Sequence, residues 1–258
     1  MVSDNKKCND LTGKEWLLNS FSIWRDLVKT KEEKDVKHPA SYPVSLCEKL
    51  IKTFSKCGGT VLDPFNGIGS SMVAARNLGY NGVGIDLSAE FCKIAKRRVA
   101  NDKRIKIING DSFEEINKLP ENHFDICITS PPYWDILNMK RSADGKEAVN
   151  YSDNENDLGN IPNYIDFIAS LGELFAKIRN ILKSRAYCIV NVMDLRKKNL
   201  FYPLHSDLAT EMQRIGYIYD DLIIWDRQQD YSNMRPLGYP YKFRINKVHE
   251  YLLIFINQ

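Results

Sequence analysis

"TVLDPFNGIGSSMVAARNLGYNGVGID", residues 60–86, decides the fold. Two short apolar runs end in Asp63 and Asp86, and between them lie a glycine-bearing loop and a helix that opens at Ser70. Gly67 and Gly69 let the backbone turn sharply and come close to a ligand before that helix begins. The loop lacks a full dinucleotide fingerprint, because Met72 stands where the third glycine of G-x-G-x-x-G would fall and Pro64-Phe65 precedes the turn. A carboxylate at the strand end suits a ligand with positive charge better than a pyrophosphate. Asp86 follows at about 20 residues, where such folds place a ribose-binding acid.

The pattern continues downstream. A helix is predicted over 88–102 with Ser88 as N-cap, then strands at 104–108 and 124–129. Asp111, in "NGDS", ends the third strand, where it is placed to accept from an adenine amino group. Regular strand–helix alternation predicts an α/β fold with a doubly wound, parallel sheet. Any one of the three acids reads equally well as a helix cap. Three on successive strand ends beside a glycine loop read as a ligand site.

Ligands of open α/β sheets bind outside the carboxyl ends of the strands. The fourth strand ends there in "TSPPYW", residues 129–134. Pro131 and Pro132 each fix φ and carry no N–H, so the turn is rigid and offers carbonyl acceptors without competing donors. Ser130 adds a hydroxyl and Tyr133 a flat face. Together they form a receptor for a planar amine. Trp134 reads equally as a core anchor or a ligand contact.

The second half is less regular. Residues 163–183 place Ile165, Ile168, Leu171, Leu174, Phe175, Ile178 and Leu182 on one helical face. A strand at 187–193, a helix near 204–214 and strands at 218–226 and 248–256 follow, the last two pairing as a hairpin. An amphipathic helix is predicted over about 13–30 with Trp16, Phe21, Trp24 and Leu27. Two long polar stretches, 135–162 and 227–247, resist regular assignment, and loops of that length are functional or disordered.

Hydrophobic residues form 43% and charged residues 27% of the 258 positions, the balance of a soluble globular domain. A net charge of +3 permits a nucleic-acid partner without demanding one. The six cysteines form no CxxC pair and no zinc-ligand spacing, so no metal is expected. "MVSDNKKCND" lacks the apolar core of a signal peptide, and "YLLIFI" (251–256) is too short to span a bilayer. The expectation is a cytoplasmic, single-domain protein whose residues 1–37 form a helical extension.

"DPFNGIGSS", "GID", "NGDS" and "TSPPYW" resemble motifs I, II, III and IV of the S-adenosylmethionine-dependent DNA amino-methyltransferases. "HPASYPVSLCEKLI" (38–51) resembles their motif X, while "YCIVNV" and "HEYLLIF" resemble later strands of the same fold. Motifs X and I precede IV, whereas the commoner order in small enzymes places IV first. The resemblance implies a class I, Rossmann-like methyltransferase fold: seven strands, mostly parallel, ending in an antiparallel hairpin. It implies S-adenosyl-L-methionine as cofactor, with Asp63, Phe65, Gly67 and Gly69 at its methionine side, Asp86 on the ribose and Asp111 at the adenine. Pro64 and Ser70 of the same loop, and Ser41, Tyr42 and Pro43 of motif X, complete the cofactor set. Ser130, Pro131, Pro132 and Tyr133 are the implied catalytic corner, holding a base flipped out of DNA.

A serine before the proline pair is more typical of N4-cytosine enzymes in this family. The reading is therefore a cytosine-N4 DNA methyltransferase, a modification enzyme with a restriction endonuclease or a second copy as candidate partners. Adenine N6 is the runner-up, since a hydroxyl serves either amine. RNA and protein-glutamine methyltransferases share the scaffold but use Asn-Pro-Pro-Tyr. A non-catalytic DNA-binding module is the third class. No separate target-recognition domain is evident, so sequence reading falls to 135–162 and 227–247, the latter carrying Arg227, Arg235, Lys242, Arg244 and Lys247 between aromatics.

Overall fold

A computed structural model describes residues 7–25, 27–36, 42–100, 102–135, 157–230 and 236–258. Ser41, Arg235 and residues 136–156 of the first long stretch lie outside the described residues. The strands are β1 (Ile23–Trp24), β2 (Thr60–Asp63), β3 (Asn81–Asp86), β4 (Ile105–Asn109), β5 (Phe124–Thr129), β6 (Leu182–Val192), β7 (Leu195–Lys197), β8 (Leu200–Tyr202), β9 (Ile218–Asp226) and β10 (His249–Ile256). The helices are α1 (Gly13–Asn19), α2 (Lys31–Asp35), α3 (Val44–Phe54), α4 (Ser70–Asn77), α5 (Ala89–Arg98), α6 (Ser112–Glu115), α7 (Tyr164–Ile181) and α8 (Leu204–Arg214).

Eight strands form one sheet in the order β1-β9-β10-β6-β5-β2-β3-β4, and β7 and β8 form a separate ribbon. β2 through β6 run parallel, while β10 is antiparallel to both β6 and β9. The predicted hairpin is thus present. The chain steps outward from β2 to β3 and β4, then returns to lay β5 on the other side of β2. That reversal is the switch point at which open sheets hold ligands.

Side chains alternate between two cores, as period-two strands require when both faces are covered. Leu62 and Cys127 join Phe167, Leu171, Phe175 and Met212 on the α7–α8 side. Val61, Ile126 and Ile128 join Leu46, Leu50, Met72 and Ala95 on the α3–α5 side.

Two sequence expectations fail. The predicted N-terminal helix stops at Asn19, and Trp24 instead sits on β1, beside β9 and 1% exposed. A Thr12–Glu15 capping box starts the helix, Ser20 caps its end, and no residue of the helix is buried. Tertiary pairing of Ile23-Trp24 with Ile224-Trp225 outweighs the helical period. In α7, Phe167 rather than Ile165 faces the core, and Ile165 is 75% exposed. Asn163 caps this helix through the Ile165 and Asp166 N–H groups, which turns Ile165 toward solvent.

Candidate active site

The glycine loop leaves β2 at Asp63. Gly67 and Gly69 are left-handed, at φ 50° and 82°. A Cβ on Gly69 would stand 2.9 Å from that of Ala95, so this position also admits the close approach of α5. Asp63 is completely buried. Its Oδ1 accepts from Thr129 Oγ1 at 2.7 Å and Phe65 N at 3.1 Å, and its Oδ2 accepts from Tyr42 Oη at 2.8 Å and Ser71 Oγ at 2.5 Å. Burial pushes this carboxyl upward, against the pull of those donors. All four lone-pair sites are filled from within the chain. With its acceptor sites taken up in this way, Asp63 ties four segments together behind the surface.

The other acids keep capacity to spare. Asp86 accepts from Gly67 N at 2.6 Å and Ser88 N at 2.9 Å, one bond on each oxygen. Two lone-pair sites remain. Burial raises this carboxyl to about 6. Asp111 caps α6 through Phe113 N at 2.9 Å, so its capping reading holds, and it sits half-buried one strand further along. Ser112 Oγ donates to the Pro64 carbonyl and clamps the loop to the same edge. Ser70 is buried at the start of α4, where Arg98 reaches it and the Ile68 carbonyl.

Motif X arrives from the N-terminal side. Pro43 precedes α3, and Tyr42 supplies the hydroxyl on Asp63. Glu33 of α2 accepts from Val44 N at 2.7 Å, pinning the start of α3.

The proline corner adjoins the glycine corner. β5 is the parallel neighbour of β2, and the Thr129–Asp63 bond joins their ends. Pro131 is buried, whereas Ser130, Pro132 and Tyr133 are half-buried. Trp134 is a core anchor: at φ 51° and 5% exposed, it donates from Nε1 to the Ile161 carbonyl at 2.8 Å. It packs against Tyr164 and Tyr202 and beneath the Lys197 ammonium.

Sequence reading missed the polar groups behind this corner. Ser130 Oγ lies 3.1 Å from Tyr133 Oη, which donates to Glu250 Oε2 at 2.8 Å. Asn191 Nδ2 donates to Tyr133 Oη at 3.0 Å and to Glu250 Oε2 at 2.5 Å. Asn191 and Glu250 are each 4% exposed. A signal existed, for each is a polar residue interrupting an apolar run, in "CIVNV" and "HEYLLIF". Arg227, expected to meet DNA, turns inward instead. It pairs with Glu250 and with Asp230 and lies over the Trp225 ring.

The remaining predicted DNA contacts divide. Lys242 is exposed, and Tyr241 and Phe243 beside it are 95% and 91% exposed. Arg244 donates to Asn199 at 2.9 Å, and Lys247 lies 4.9 Å from the centre of the Phe201 ring. Both therefore rest on the β7–β8 ribbon, whose Arg196 and Lys198 carry further charge at the surface. Sequence reading did not anticipate that ribbon.

A family model described as DNA methylase matches residues 3–97 and 124–258, and one described as methyltransferase domain matches 62–134. The Type II methyltransferase M2.DpnII of Streptococcus pneumoniae is 40% identical over 78 residues, 30% of this chain and 29% of that protein. The Type II methyltransferase M.BamHI of Bacillus amyloliquefaciens is 25% identical over 136 residues, 52% of this chain and 32% of its own length. The chain thus spans no more than about a third of either relative. Among solved structures, the geranyl diphosphate C-methyltransferase of Streptomyces coelicolor A3(2) superposes with a TM-score of 0.53 at 14% identity, covering 84% of this chain and 77% of that one. The likeness is one of fold: the mostly parallel sheet with its antiparallel hairpin is that of class I S-adenosylmethionine-dependent methyltransferases.

Proposed function

The chain belongs to the DNA methylase family, and from that premise we propose that it methylates an exocyclic base amine in DNA, the N4 of cytosine first. One observation carries the reading: the Thr129–Asp63 hydrogen bond, which brings the glycine loop and the Ser-Pro-Pro-Tyr corner to one end of the sheet. The cofactor is S-adenosyl-L-methionine, which when bound supplies an electrophilic methyl on its sulfonium.

The residues present fit that group. Asp86 retains two acceptor sites for a pair of ribose hydroxyls, and the left-handed Gly67 and Gly69 leave the loop backbone bare. Asp111 stands at the adenine side, and Phe65 and Pro64 form the loop wall. Asp63, Tyr42 and Ser71 hold the loop in shape from behind. Ser41 completes the set by its place in motif X.

An aromatic amine is a weak nucleophile because its lone pair is delocalised into the ring. Ser130 Oγ and the Pro131 carbonyl accept its N–H bonds, which draws the nitrogen toward a tetrahedral shape and fixes its approach. The rigid Pro131-Pro132 pair holds these acceptors in place before the base arrives. Flipping a base out of a duplex costs a few kcal/mol, and stacking on Tyr133 returns about 1–3 kcal/mol.

DNA is held by the exposed stretch about Lys242, with Tyr241 and Phe243 beside it, by Arg235, and by the ribbon that Arg244 and Lys247 touch. Residues 135–162 supply the second recognition segment. A cognate restriction endonuclease is the partner that the Type II relatives suggest. Serine before the proline pair favours cytosine, while adenine N6 fits the same hydroxyl. Nucleoside analysis of DNA from cells expressing the chain decides: N4-methylcytosine is expected, and N6-methyladenine alone would overturn the choice of base.

A further inference from the structure

Glu250 is more than nine-tenths buried, distant in sequence from the proline corner, and wired to it by hydrogen bonds whose direction its charge fixes. Its Oε1 faces the Arg227 guanidinium, and its Oε2 receives Tyr133 Oη and Asn191 Nδ2. A carboxylate paired with a guanidinium has no proton to give, so each of these contacts is a donation toward Glu250.

The consequence passes outward one proton at a time. Tyr133 has a single hydroxyl proton, and Glu250 receives it. The Tyr133 oxygen is then left to accept, from Asn191 Nδ2 at 3.0 Å and from Ser130 Oγ at 3.1 Å. Ser130 in turn spends its only proton on Tyr133. Asn191 Nδ2 lies 3.5 Å from the same oxygen as a long contact, and what Ser130 keeps for the open side of the corner is its remaining lone pair.

We propose that Glu250 is the positioning residue that sets this polarity, so that Ser130 accepts from an amino group and rejects a base presenting a carbonyl oxygen at the same place. The proposal rests on the reading of Ser130 as the base-facing acceptor. It assigns Asn191 a matching part, as the donor that keeps the Tyr133 oxygen occupied. It also explains why Arg227 is drawn in: the guanidinium holds Oε1, leaving Oε2 for the chain of hydroxyls.

In Glu250→Gln the amide oxygen stays with Arg227 and the amide nitrogen faces Tyr133. Tyr133 then loses the acceptor for its proton, Asn191 Nδ2 meets a second donor, and the polarity that holds Ser130 as an outward acceptor is no longer imposed. The test measures transfer of labelled methyl groups from S-adenosylmethionine to unmethylated plasmid DNA, together with calorimetric affinity for S-adenosylhomocysteine and the melting temperature. E250Q is expected to lower kcat by about 10²-fold, the usual effect of losing one oriented hydrogen bond at a reacting centre. Affinity for S-adenosylhomocysteine should stay within about twofold, because the change lies on the base side of the site. E250D, which restores an acceptor of the same charge, should recover most of the loss.

E250M/R227M removes the buried charges together and separates polarity from mere folding, since an apolar pair in place of a buried ion pair is often neutral for stability. Its kcat should remain low although its melting temperature stays near that of the wild type. Recovery of kcat in that variant would reduce Glu250 to a counter-charge for Arg227 and overturn the inference, as would an E250Q enzyme of unchanged kcat. A wild-type chain that binds S-adenosylhomocysteine but transfers nothing to DNA would instead fell the reading of the site, and this inference with it.

Discussion

The two corners that meet at the switch point are built by opposite means. The glycine corner is assembled at shorter range: Ser88 and Phe113 donate to acids two positions away, and Ser71 reaches back eight to Asp63. Gly67 and Tyr42 meet acids 19 and 21 positions off, and its longest ties are Ser112 to Pro64 at 48 and Thr129 to Asp63 at 66. The proline corner is stiff in its own backbone but polar only through distant strands, with Asn191 from β6 and Glu250 from β10, 58 and 117 positions from Tyr133. A corner of the first kind is shaped mainly by its turn and pinned by a few distant hydroxyls. One of the second kind depends on the whole sheet being in register.

The sharpest way to break this contrast is Asp63→Ala, which strikes the one group common to both corners. It strands two hydroxyls, a phenol and a backbone N–H in a buried place, and a loss on the order of 4 kcal/mol is expected in urea denaturation. A loss under about 1 kcal/mol would show that the corners are held together by packing alone. Ser130→Ala acts on one corner only. It should reduce methyl transfer by about 10²-fold while leaving stability and cofactor affinity nearly unchanged. Equal losses of cofactor binding and turnover would show that the corners are not separable.

Lys242→Glu probes the surface beyond the proline corner. DNA affinity should fall several-fold, and the slope of log affinity against log salt should become shallower by about 1. An unchanged slope would assign the exposed stretch to something other than phosphate contact. The smallest effect belongs to the glycine corner. With Asp86 raised to about 6 by burial, its ionised form is lost as pH falls through that value, and with it the acceptors for ribose hydroxyls. The cofactor dissociation constant should roughly double at pH 6 and rise about fourfold by pH 5.5, and Asp86→Asn should flatten that dependence. The stability term has the opposite sign. A carboxyl raised above its unfolded value favours the fold at low pH, and that contribution is lost as pH rises through about 6.

The same contrast explains what was legible in the sequence. Strand-end acids, left-handed glycines and the proline pair declare themselves within a few residues, and the hairpin follows from two apolar runs with no helix between them. Asn191 and Glu250 are single polar residues in apolar strands, and only the β6–β10 pairing reveals that they face one hydroxyl. Arg227 shows the converse case. Its charge among aromatics reads as a surface for DNA, yet a carboxylate buried 23 positions later claims it. Trp24 followed the helical period and was taken by a strand, because a two-residue pairing with β9 buries an indole that the helix could not.

That short strand has a bearing on how the molecule behaves in company. An outermost strand offers unpaired backbone groups to any passing chain. Here β1 covers β9 along Ile224 and Trp225, while the uncovered part carries Asp220 and Asp221, both exposed. Joining two copies strand to strand along this border would set carboxylates against carboxylates, so self-association by sheet extension is opposed at the side where it would otherwise be easiest.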